Sequence, residues 1–490
     1  MTHYDWIKSE LGGLYGSRVV EELSEIVRLY DYYDGPGQDW TPPANLKYTP
    51  SKLRTNLVKK LIKDEARFMA CRPPEMRIVP DDSVDQDACD QIEHWLGRIL
   101  RAERWPSKLL KAARDCFIGK RVAIKLGGGP GAPLSIQFRP SLEFVYEVDP
   151  NDADRLSKII FFYQVTSDET LREKQRVWRQ RYWLENGRCL MDEALYDGYG
   201  RLTEAYHTQE DTGLDFIPCR VIINDGLTGD LNGESDVKEI RDNQDAYNHL
   251  KSDDLDALKF NMFPQRVFVD ASQASMAEVV VAPSALIDLQ TDPAAQGRQA
   301  QHGMLESGFN YDARLENVLL RIRGDMYDLL SVPNLSLDQL KGVITSGKSM
   351  RALYWSLTCR CEEKWAEWDD ALGWMIESLM KMARAYGCEP LPEVAHTIKI
   401  EHLYPIPDDE EAERAADLSE VGQQARSKLN YITKWQPDAD AKGELAQIQL
   451  EQRAADAYGM GLGMELGGGA GIALTEGIAA GLGGETSGPV

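Results

Sequence analysis

The sequence predicts an α+β protein in which helical segments enclose a β-rich region. The chain has 490 residues, which is enough for roughly two to four domains. Apolar residues follow a helical spacing through the first 115 residues, whereas apolar and polar residues alternate from Arg121 onward. A second long helical pattern, uninterrupted by proline, runs from Ser349 to Tyr386. These three observations favour a mixed fold with β structure in its middle part.

The composition is that of a globular protein, and it excludes several functional classes. Apolar residues make up 43% of the chain and charged residues 27%, which is ordinary for a folded protein. No stretch of 18 uncharged apolar residues occurs, so no transmembrane helix is expected. The formal charge of −24 argues against a protein that holds nucleic acid tightly through a basic surface. It is compatible with a protein past which nucleic acid must slide.

The cysteines and histidines form no recognisable metal or catalytic motif. The eight cysteines include no C-x-x-C pair. Cys359 and Cys361 lie two residues apart in a helical stretch, so their side chains point about 200° apart. The seven histidines show neither H-x-x-x-H nor H-E-x-x-H spacing. We therefore expect no metal, no cofactor and reduced thiols.

The first half of the chain gives clear local signals. Helical spacing predicts a helix over residues 51–70, ended by the CRPP sequence of residues 71–74. A Gly/Pro-rich turn at 127–132 separates two alternating stretches, which predicts a β-hairpin. Further strands are expected at FVYEV, KIIFFYQV and RVWRQRYWL, and the β-rich region ends near PCRVIIN, residues 218–224.

Two helices are predicted next. Ser235 is a suitable N-cap for the first helix, which Pro264 ends. Its expected apolar face consists of Val237, Ile240, Tyr247, Leu250, Leu255 and Leu258. The stretches QRVFVD and AEVVVAP then have strand character. A second helix is predicted from Asp312 to Leu330, with an apolar face of Leu315, Val318, Leu319, Ile322, Met326 and Leu329.

The longest predicted helix, residues 349–386, would form a rod of about 57 Å. A helix of this length is more typical of a bundle or an assembly than of a compact enzyme. The sequence HTIKIEHLY at 396–404 predicts a strand, and the acidic run DDEEAERAAD opens a helical region that reaches about Tyr458. We expect the glycine-rich residues 459–490 to be disordered.

Residues Gly342 to Ser349 match the phosphate-binding pattern G-x-x-x-x-G-K-S/T at every fixed position. Such a loop requires a buried strand before it and parallel strands after it. The preceding PNLSLDQLK is polar, and no alternating β-α pattern follows. A nucleotide hydrolase that uses Lys348 and Ser349 is therefore the alternative interpretation, and flexibility beside a helix N-cap explains the glycines more simply.

Four stretches, in their order along the chain, resemble the portal (head-to-tail connector) proteins of tailed double-stranded DNA phages. They look like an early helix ending in a small-Pro turn, a strand pattern, the entry to a first stem helix, and a second stem helix with its tunnel loop and the start of a long helix. These stretches are NLVKKLIKDEARFMACRPP (56–74), RPSLEFVYEVDPND (139–152), FIPCRVIIND with GESDVKEIRDNQDAYN (216–248) and LLRIRGDMYDLLSVPNLSLDQLKGVITSGKSMRALYWSL (319–357). Together they span about residues 50–385.

The resemblance implies a portal-type fold with a β-rich wing, two stem helices, a small β clip, a long wing helix and a helical crown, assembled as a ring. The implied divisions are 1–115 (N-terminal helical part of the wing), 116–232 (β-rich wing), 233–261 (first stem helix), 262–310 (clip), 311–330 (second stem helix), 331–347 (tunnel loop), 348–404 (long helix and wing return), 405–458 (crown) and 459–490 (Gly-rich disordered tail).

The resemblance also implies a function without enzymatic activity. Twelve copies would form a channel at the capsid vertex for packaging and ejection of double-stranded DNA, in the virion and, during assembly, in the host cytoplasm. The implied partners are the terminase large subunit, a head-completion or adaptor protein, and the major capsid and scaffolding proteins, with no membrane. The expected DNA-facing residues of the tunnel loop are Leu340, Lys341, Val343, Ile344, Thr345, Ser346 and Lys348. A monomeric scaffold or adaptor is a third hypothesis.

Overall fold

The computed structural model has a mixed helix and sheet fold, so the predicted α+β class is confirmed. It describes residues 16–42, 46, 48–82, 85–165, 175–262, 265–272, 290–295, 297–305, 312–334, 347–406, 410–423, 425–436, 440–451 and 453. The chain forms two compact units, one of residues 1–345 and 349–406 and the other of residues 346–348 and 407–490. None of the helices in these described ranges is both long and apolar enough to cross a membrane.

In the N-terminal part, the residues that the structure describes form four α-helices and one strand. They are α1 (Gly16–Asp34), α2 (Leu57–Ala70), β1 (Glu75–Pro80), α3 (Gln86–Ala102) and α4 (Trp105–Gly119). The expectation that the first 115 residues are wholly helical is wrong at β1, which pairs antiparallel with β12 (His396–Glu401). The partner lies more than 300 residues away, so the local pattern did not indicate this pairing.

Helix α2 begins six residues later than predicted. Its N-cap is Asn56, whose side-chain oxygen accepts a hydrogen bond from the backbone N–H of Lys59 at 2.9 Å. Residues 51–56 are irregular. The helix then ends before the CRPP sequence, as expected.

The middle of the chain forms the predicted β-rich region, in two antiparallel sheets. Its strands are β2 (Arg121–Gly129), β3 (Ala132–Pro140), β4 (Phe144–Asp149), β5 (Asp152–Gln164), β6 (Arg176–Glu185), β7 (Arg188–Asp197), β8 (Leu202–Asp211) and β9 (Cys219–Ile223). The first sheet has the order β3-β2-β9 and the second has the order β4-β5-β6-β7-β8. The β2–β3 pairing confirms the predicted hairpin, and Gly131 in its turn has φ +78°, which favours glycine.

Alternation along the five-stranded sheet gives it two buried faces. Residues such as Ile159, Phe161 and Tyr182 belong to the large apolar core, which also contains α4 and a later helix, Trp355–Ala385. The opposite face packs Ile160 and Phe162 against α1, in a second and smaller apolar cluster.

In the next part, the described residues form two α-helices and one antiparallel strand pair: α5 (Asp236–Met262), β10 (Gln265–Val269), β11 (Gln301–Leu305) and α6 (Asp312–Leu329). The strand predicted at QRVFVD is confirmed, whereas AEVVVAP lies outside the described residues. The predicted apolar face of α5 is buried at Val237 and Ile240, and the half-buried Tyr247 packs against the core, but the prediction is wrong at Leu258, which is 46% exposed. The face predicted for α6 is buried at Met326 but not at Val318, which is 41% exposed.

The buried stripe of α5 is instead polar, and it binds the irregular segment before α2. Gln244, Asn248, Ser252 and Asp256 recur every fourth residue and are all buried. The side-chain oxygens of these four residues accept hydrogen bonds from the backbone N–H groups of alternate residues: Leu57 (2.9 Å), Thr55 (3.0 Å), Leu53 (2.9 Å) and Ser51 (2.8 Å), respectively. We call this set of four hydrogen bonds the polar ladder. It satisfies backbone donors that a helix face made of apolar side chains could not.

The longest predicted helix is interrupted. The structure has α7 (Gly347–Leu353) and α8 (Trp355–Ala385), with Tyr354 between them at φ −90° and ψ 7°. At 31 residues, α8 is about 46 Å long rather than 57 Å. The apolar spacing indicated which face is buried, but it carried no sign of a break at a single residue that is not proline. Within α8, Trp365 and Trp368 are almost fully buried.

The second unit contains α9 (Glu410–Gly422) and α10 (Lys428–Trp435), and residues 441–451 are also helical. The predicted helical character of this acidic region is confirmed for the described residues. Asp417 pairs with Arg426 and with Lys434, and it accepts a hydrogen bond from the Trp435 indole N–H at 2.9 Å. The predicted disorder of residues 459–490 concerns residues outside the described ranges.

Candidate functional site

Most of the predicted DNA-facing loop lies outside the described residues. This applies to Leu340, Lys341, Val343, Ile344, Thr345 and Ser346. The backbone of Lys348 lies in the first turn of α7. The described structure therefore bears on the two flanks of this loop, which are the end of α6 and the helices α7 and α8.

The upstream flank is fixed by a helix C-cap. Ser331 has φ +55°, its N–H donates to the carbonyl of Asp328 (3.0 Å), and the N–H of Val332 donates to the carbonyl of Tyr327 (2.9 Å). This is the hydrogen-bond pattern of a Schellman cap, with serine in the left-handed position that glycine usually takes. Leu330 and Val332 are buried beside it. The direction in which the chain leaves α6 is thus set by hydrogen bonds and packing.

The phosphate-loop motif has an unsuitable context in the described chain. The element described before Gly347 is the helix α6, not a strand. Every described strand pair is antiparallel, whereas phosphate-loop nucleotide folds are built on a parallel sheet. The surroundings therefore do not favour nucleotide hydrolysis at Lys348 and Ser349.

The downstream flank is joined to three other helices through Arg360 of α8. Its guanidinium Nε donates to Glu65 of α2 at 2.9 Å, and one terminal nitrogen donates to Asp236 at 3.1 Å and Glu239 at 3.0 Å, both in the first turn of α5. The other terminal nitrogen reaches the carbonyl of Leu329 at the end of α6, at 3.5 Å. One side chain therefore connects α2, α5, α6 and α8.

Lys364, one turn further along α8, completes the ion network. Its ammonium Nζ contacts both carboxylate oxygens of Asp236 at 2.9 Å and the side-chain oxygen of Asn224 at 2.8 Å. It lies 3.5 Å from Glu65 and 4.1 Å from the centroid of the Phe117 ring. Glu65 and Asp236 are fully buried. We call Glu65, Asp236, Glu239, Arg360 and Lys364 the ion network.

The ion network contains three carboxyl groups but only two cations. Burial raises the pKa of Glu65, and the neighbouring Asp236 raises it further, against the opposing effect of Lys364 and Arg360. Burial lowers the pKa of Lys364, but Asp236 and Glu65 outweigh burial, so this pKa is raised. Oε2 of Glu65 has no hydrogen-bond partner among the described residues. The raised pKa of Glu65 favours its protonation, which leaves two carboxylates opposite the two cations, and the raised pKa of Lys364 favours its charged form.

Asp225 lies at the edge of this network. Carboxylate oxygens of Asp225, Asp236 and Glu239 fall within 4.8 Å of one another, a spacing that could hold a cation. Asp236 and Glu239 are already neutralised by Arg360 and Lys364, however, and Asp225 is exposed. The donor set thus fits an ion-paired structural centre better than a metal site. All eight cysteines are unpaired.

The sequence analysis missed the ion network, although a signal was present. Lys364 falls on the buried stripe of α8, three residues after Cys361 and four before Trp368. Glu65 likewise lies on the buried face of α2, between Ile62 and Met69. Opposite charges on two apolar stripes are the pattern that could have predicted a buried ion pair, because isolated charges are rarely buried.

Comparison with known proteins adds one match. A family model described as phage portal protein, SPP1 Gp6-like, matches residues 18–458. No curated protein matches the sequence significantly.

Proposed function

The chain belongs to the SPP1 Gp6-like family of phage portal proteins, and from this premise we propose that twelve copies close into a ring at the capsid vertex, around a channel for double-stranded DNA. The observation that carries the proposal is the family match over residues 18–458. The family is structural. In this proposal the protein acts as a conduit for genome packaging and ejection, without chemistry of its own.

Uncovered apolar side chains support assembly. On the last two turns of α5, Leu258, Phe260 and Met262 are about half exposed or more, and Val318 and Leu320 of α6 are similarly exposed. Large apolar side chains left exposed along a helix of a single chain are typical of surfaces that another protein covers. We assign α5 and α6 as stem helices that pack against the same helices of neighbouring copies.

The other proposed regions follow from chain order. The two sheets and α1–α4 would form the wing, β10 and β11 the clip, residues 331–347 the tunnel loop, and α9 and α10 the crown. In the proposal, the clip docks the terminase large subunit during packaging and a head-completion or adaptor protein afterwards. The crown and wing would face the major capsid and scaffolding proteins, so the protein would reside in the host cytoplasm first and then in the virion.

The charge of the chain supports passage of DNA rather than tight binding. Each chain carries a formal charge of −24, and an acidic channel wall repels the phosphate backbone. Each phosphate that a Lys or Arg neutralises adds affinity that would slow DNA movement. We propose that Lys341 and Lys348 supply a few transient contacts, together with the apolar Val343 and Ile344, on a loop held at both ends.

The ion network gives the loop a rigid frame in this proposal. Arg360 contacts the end of α6 through Leu329 and the start of α5 through Asp236 and Glu239. The same side chain belongs to α8, which follows the loop. A force that DNA exerts on the loop would therefore be transmitted to both stem helices.

Imaging of the purified protein by negative-stain microscopy, with native mass measurement, tests assembly. We expect annular particles of twelve-fold (or thirteen-fold) symmetry. Single 55 kDa chains at every protein and salt concentration tried would contradict the proposal and favour a monomeric scaffold or adaptor.

The loop is tested by the double variant Lys341→Glu/Lys348→Glu in a packaging assay. We expect impaired packaging with intact ring assembly. The control is Lys111→Glu/Arg155→Glu, which makes the same change of charge at two exposed residues outside the loop. Unchanged packaging in the loop variant would remove the proposed role of Lys341 and Lys348.

A further inference from the structure

Three aromatic rings form a stack between α2, the break before α8, and the segment that follows β12. Phe68 of α2 is the middle ring. Its centroid lies 5.3 Å from that of Tyr354 with the planes 6° apart, and 5.1 Å from that of Tyr404 with the planes 19° apart. Phe68 is almost fully buried. We call Tyr354, Phe68 and Tyr404 the aromatic stack.

One end of the aromatic stack lies at the helix break. Tyr354 is the residue between α7 and α8. Its N–H donates to the carbonyl of Met350 at 3.1 Å, and its own carbonyl accepts from Thr358 at 2.8 Å. Helical hydrogen bonding therefore continues on both sides of the break while the Tyr354 backbone departs from helical geometry. Any reorientation of α7 relative to α8 must rotate this residue, and its ring is held by Phe68.

The other end of the aromatic stack lies where the chain leaves the first unit. Tyr404 precedes the second unit, which resumes at Pro407, by three residues. The Tyr404 hydroxyl donates to Glu362 of α8 at 2.7 Å. The neighbouring His402 stacks on Trp365 at 4.6 Å and contacts Glu362 and Asp369. The exit segment is thus attached to α8 by both residues and to α2 through Phe68.

We infer that Phe68 is a positioning residue that couples the orientation of the chain at Tyr354, downstream of the tunnel loop, to the orientation of the exit segment at Tyr404, upstream of the C-terminal helices. Coupling of this kind is carried by packed side chains that cannot move independently. The coupling is a property of the folded chain. Its biological meaning, communication between the channel loop and the crown, rests on the proposed function.

Amide hydrogen exchange on the assembled full-length protein tests the inference. The two outer tyrosines are half-buried, so Tyr404→Leu and Tyr354→Leu remove a stacking ring without emptying the core. We expect Tyr404→Leu to raise the rate of amide exchange about five-fold in residues 350–358, which surround Tyr354 at the opposite end of the aromatic stack. Tyr354→Leu is expected to raise exchange in residues 398–406 by a similar factor.

Two control variants isolate the stack. Tyr404→Phe keeps the ring and loses only the hydrogen bond to Glu362, so exchange in residues 350–358 is expected to stay unchanged. Tyr163→Leu removes a ring that lies 4.9 Å from Trp178 in the five-stranded sheet. Exchange in residues 350–358 and 398–406 is expected to stay unchanged in this variant.

Exchange that rises only on the side of each substitution would overturn the inference. A uniform rise that includes residues 176–197 would also overturn it, because general destabilisation would then explain the effect. Imaging of the same variants separates the two proposals. Variants that assemble into annular particles, but show no change in exchange on the far side of the aromatic stack, would refute the coupling and leave the channel function intact.

Discussion

Replacement of Lys364 by methionine is the sharpest test of how the ion network holds α8 to α5. Methionine fills nearly the same volume but cannot bind the carboxylate of Asp236, which now receives two contacts of 2.9 Å from Lys364. Asp236 is fully buried, so its charge loses a partner without gaining water. Removal of one member of a buried ion pair costs about 3–5 kcal/mol.

The free energy of unfolding is measured by urea titration at one fixed protein concentration, because assembly makes stability depend on concentration. Unfolding is followed by the intrinsic fluorescence of the 11 tryptophans, of which Trp365 and Trp368 are buried on the same helix as Lys364. With a slope near 3 kcal/mol per M, Lys364→Met is expected to lower the midpoint by roughly 1 M urea or more. Lys381→Met changes an exposed lysine of the same helix and is expected to cost about 0.5 kcal/mol or less.

A second substitution in the same chain checks the electrostatic explanation. Lys364→Met leaves Arg360 as the one cation of the ion network, shared between Asp236 and Glu239. Asp236→Asn removes one of these carboxylates, so the double variant is expected to be more stable than Lys364→Met alone. Arg360 would still pair with Glu239 and Glu65. The reasoning is refuted if Lys364→Met unfolds within about 1 kcal/mol of the wild type, or if the double variant is the less stable of the two.

Three further outcomes are expected. The pKa of Glu65 is raised in the folded protein, so the stability that Glu65 contributes is present below its ordinary pKa of about 4.3 and is lost as pH rises through the raised value. Glu65→Gln should therefore make the urea midpoint vary less between about pH 5 and pH 8. An unchanged dependence of the midpoint on pH would contradict the assignment. Asn248→Ala leaves the N–H of Thr55 without its acceptor, so we expect the free energy of unfolding to fall by about 1–3 kcal/mol and proteolysis within residues 51–56 to become faster. Asp253→Ala, on the exposed face of α5, should change neither quantity. Burial lowers the pKa of His402, but hydrogen bonds to acidic partners including Asp369 outweigh it and raise the pKa. Stability gained from the charged ring is lost as pH rises above about 6.5, whereas the stacking of the ring on Trp365 is present at every pH. His402→Gln should therefore cost up to about 1 kcal/mol more at pH 6 than at pH 9, and equal losses at both pH values would refute the assignment.

Local patterns predicted much of the fold. The β2–β3 hairpin was indicated by alternation around a Gly/Pro turn, and the start of α5 by Ser235, whose hydroxyl lies 3.3 Å from the N–H of Val237 and donates to the carbonyl of Ile118 at 2.6 Å. These features depend on neighbouring residues, which the sequence displays directly. Strand β1 could not be found in this way, because its partner β12 comes from the far end of the first unit.

The errors on α5 have a different origin. Apolar spacing predicted a buried face through Leu258, but in the structure the buried positions from Gln244 onward are polar and bind the backbone of residues 51–57. A pattern of apolar residues identifies surfaces that leave water, and it does not tell whether the chain itself or another copy covers them. The ion network required pairing Glu65 of α2 with Lys364 of α8, which lie 299 positions apart in the numbering. The predicted DNA-facing loop stays a prediction.

The polar ladder makes the lengths of two distant segments depend on each other. Two residues of an extended strand advance about 6.6 Å, while four residues of a helix advance about 6.0 Å. The two advances differ by only about 0.6 Å per hydrogen bond of the polar ladder. Four successive hydrogen bonds can therefore form, whereas a much longer series could not. Insertion or deletion of one amino acid between Ser51 and Leu57, or between Gln244 and Asp256, would misalign the donors and acceptors of the polar ladder on one side of the change. Both stretches should therefore vary in side chains far more readily than in length.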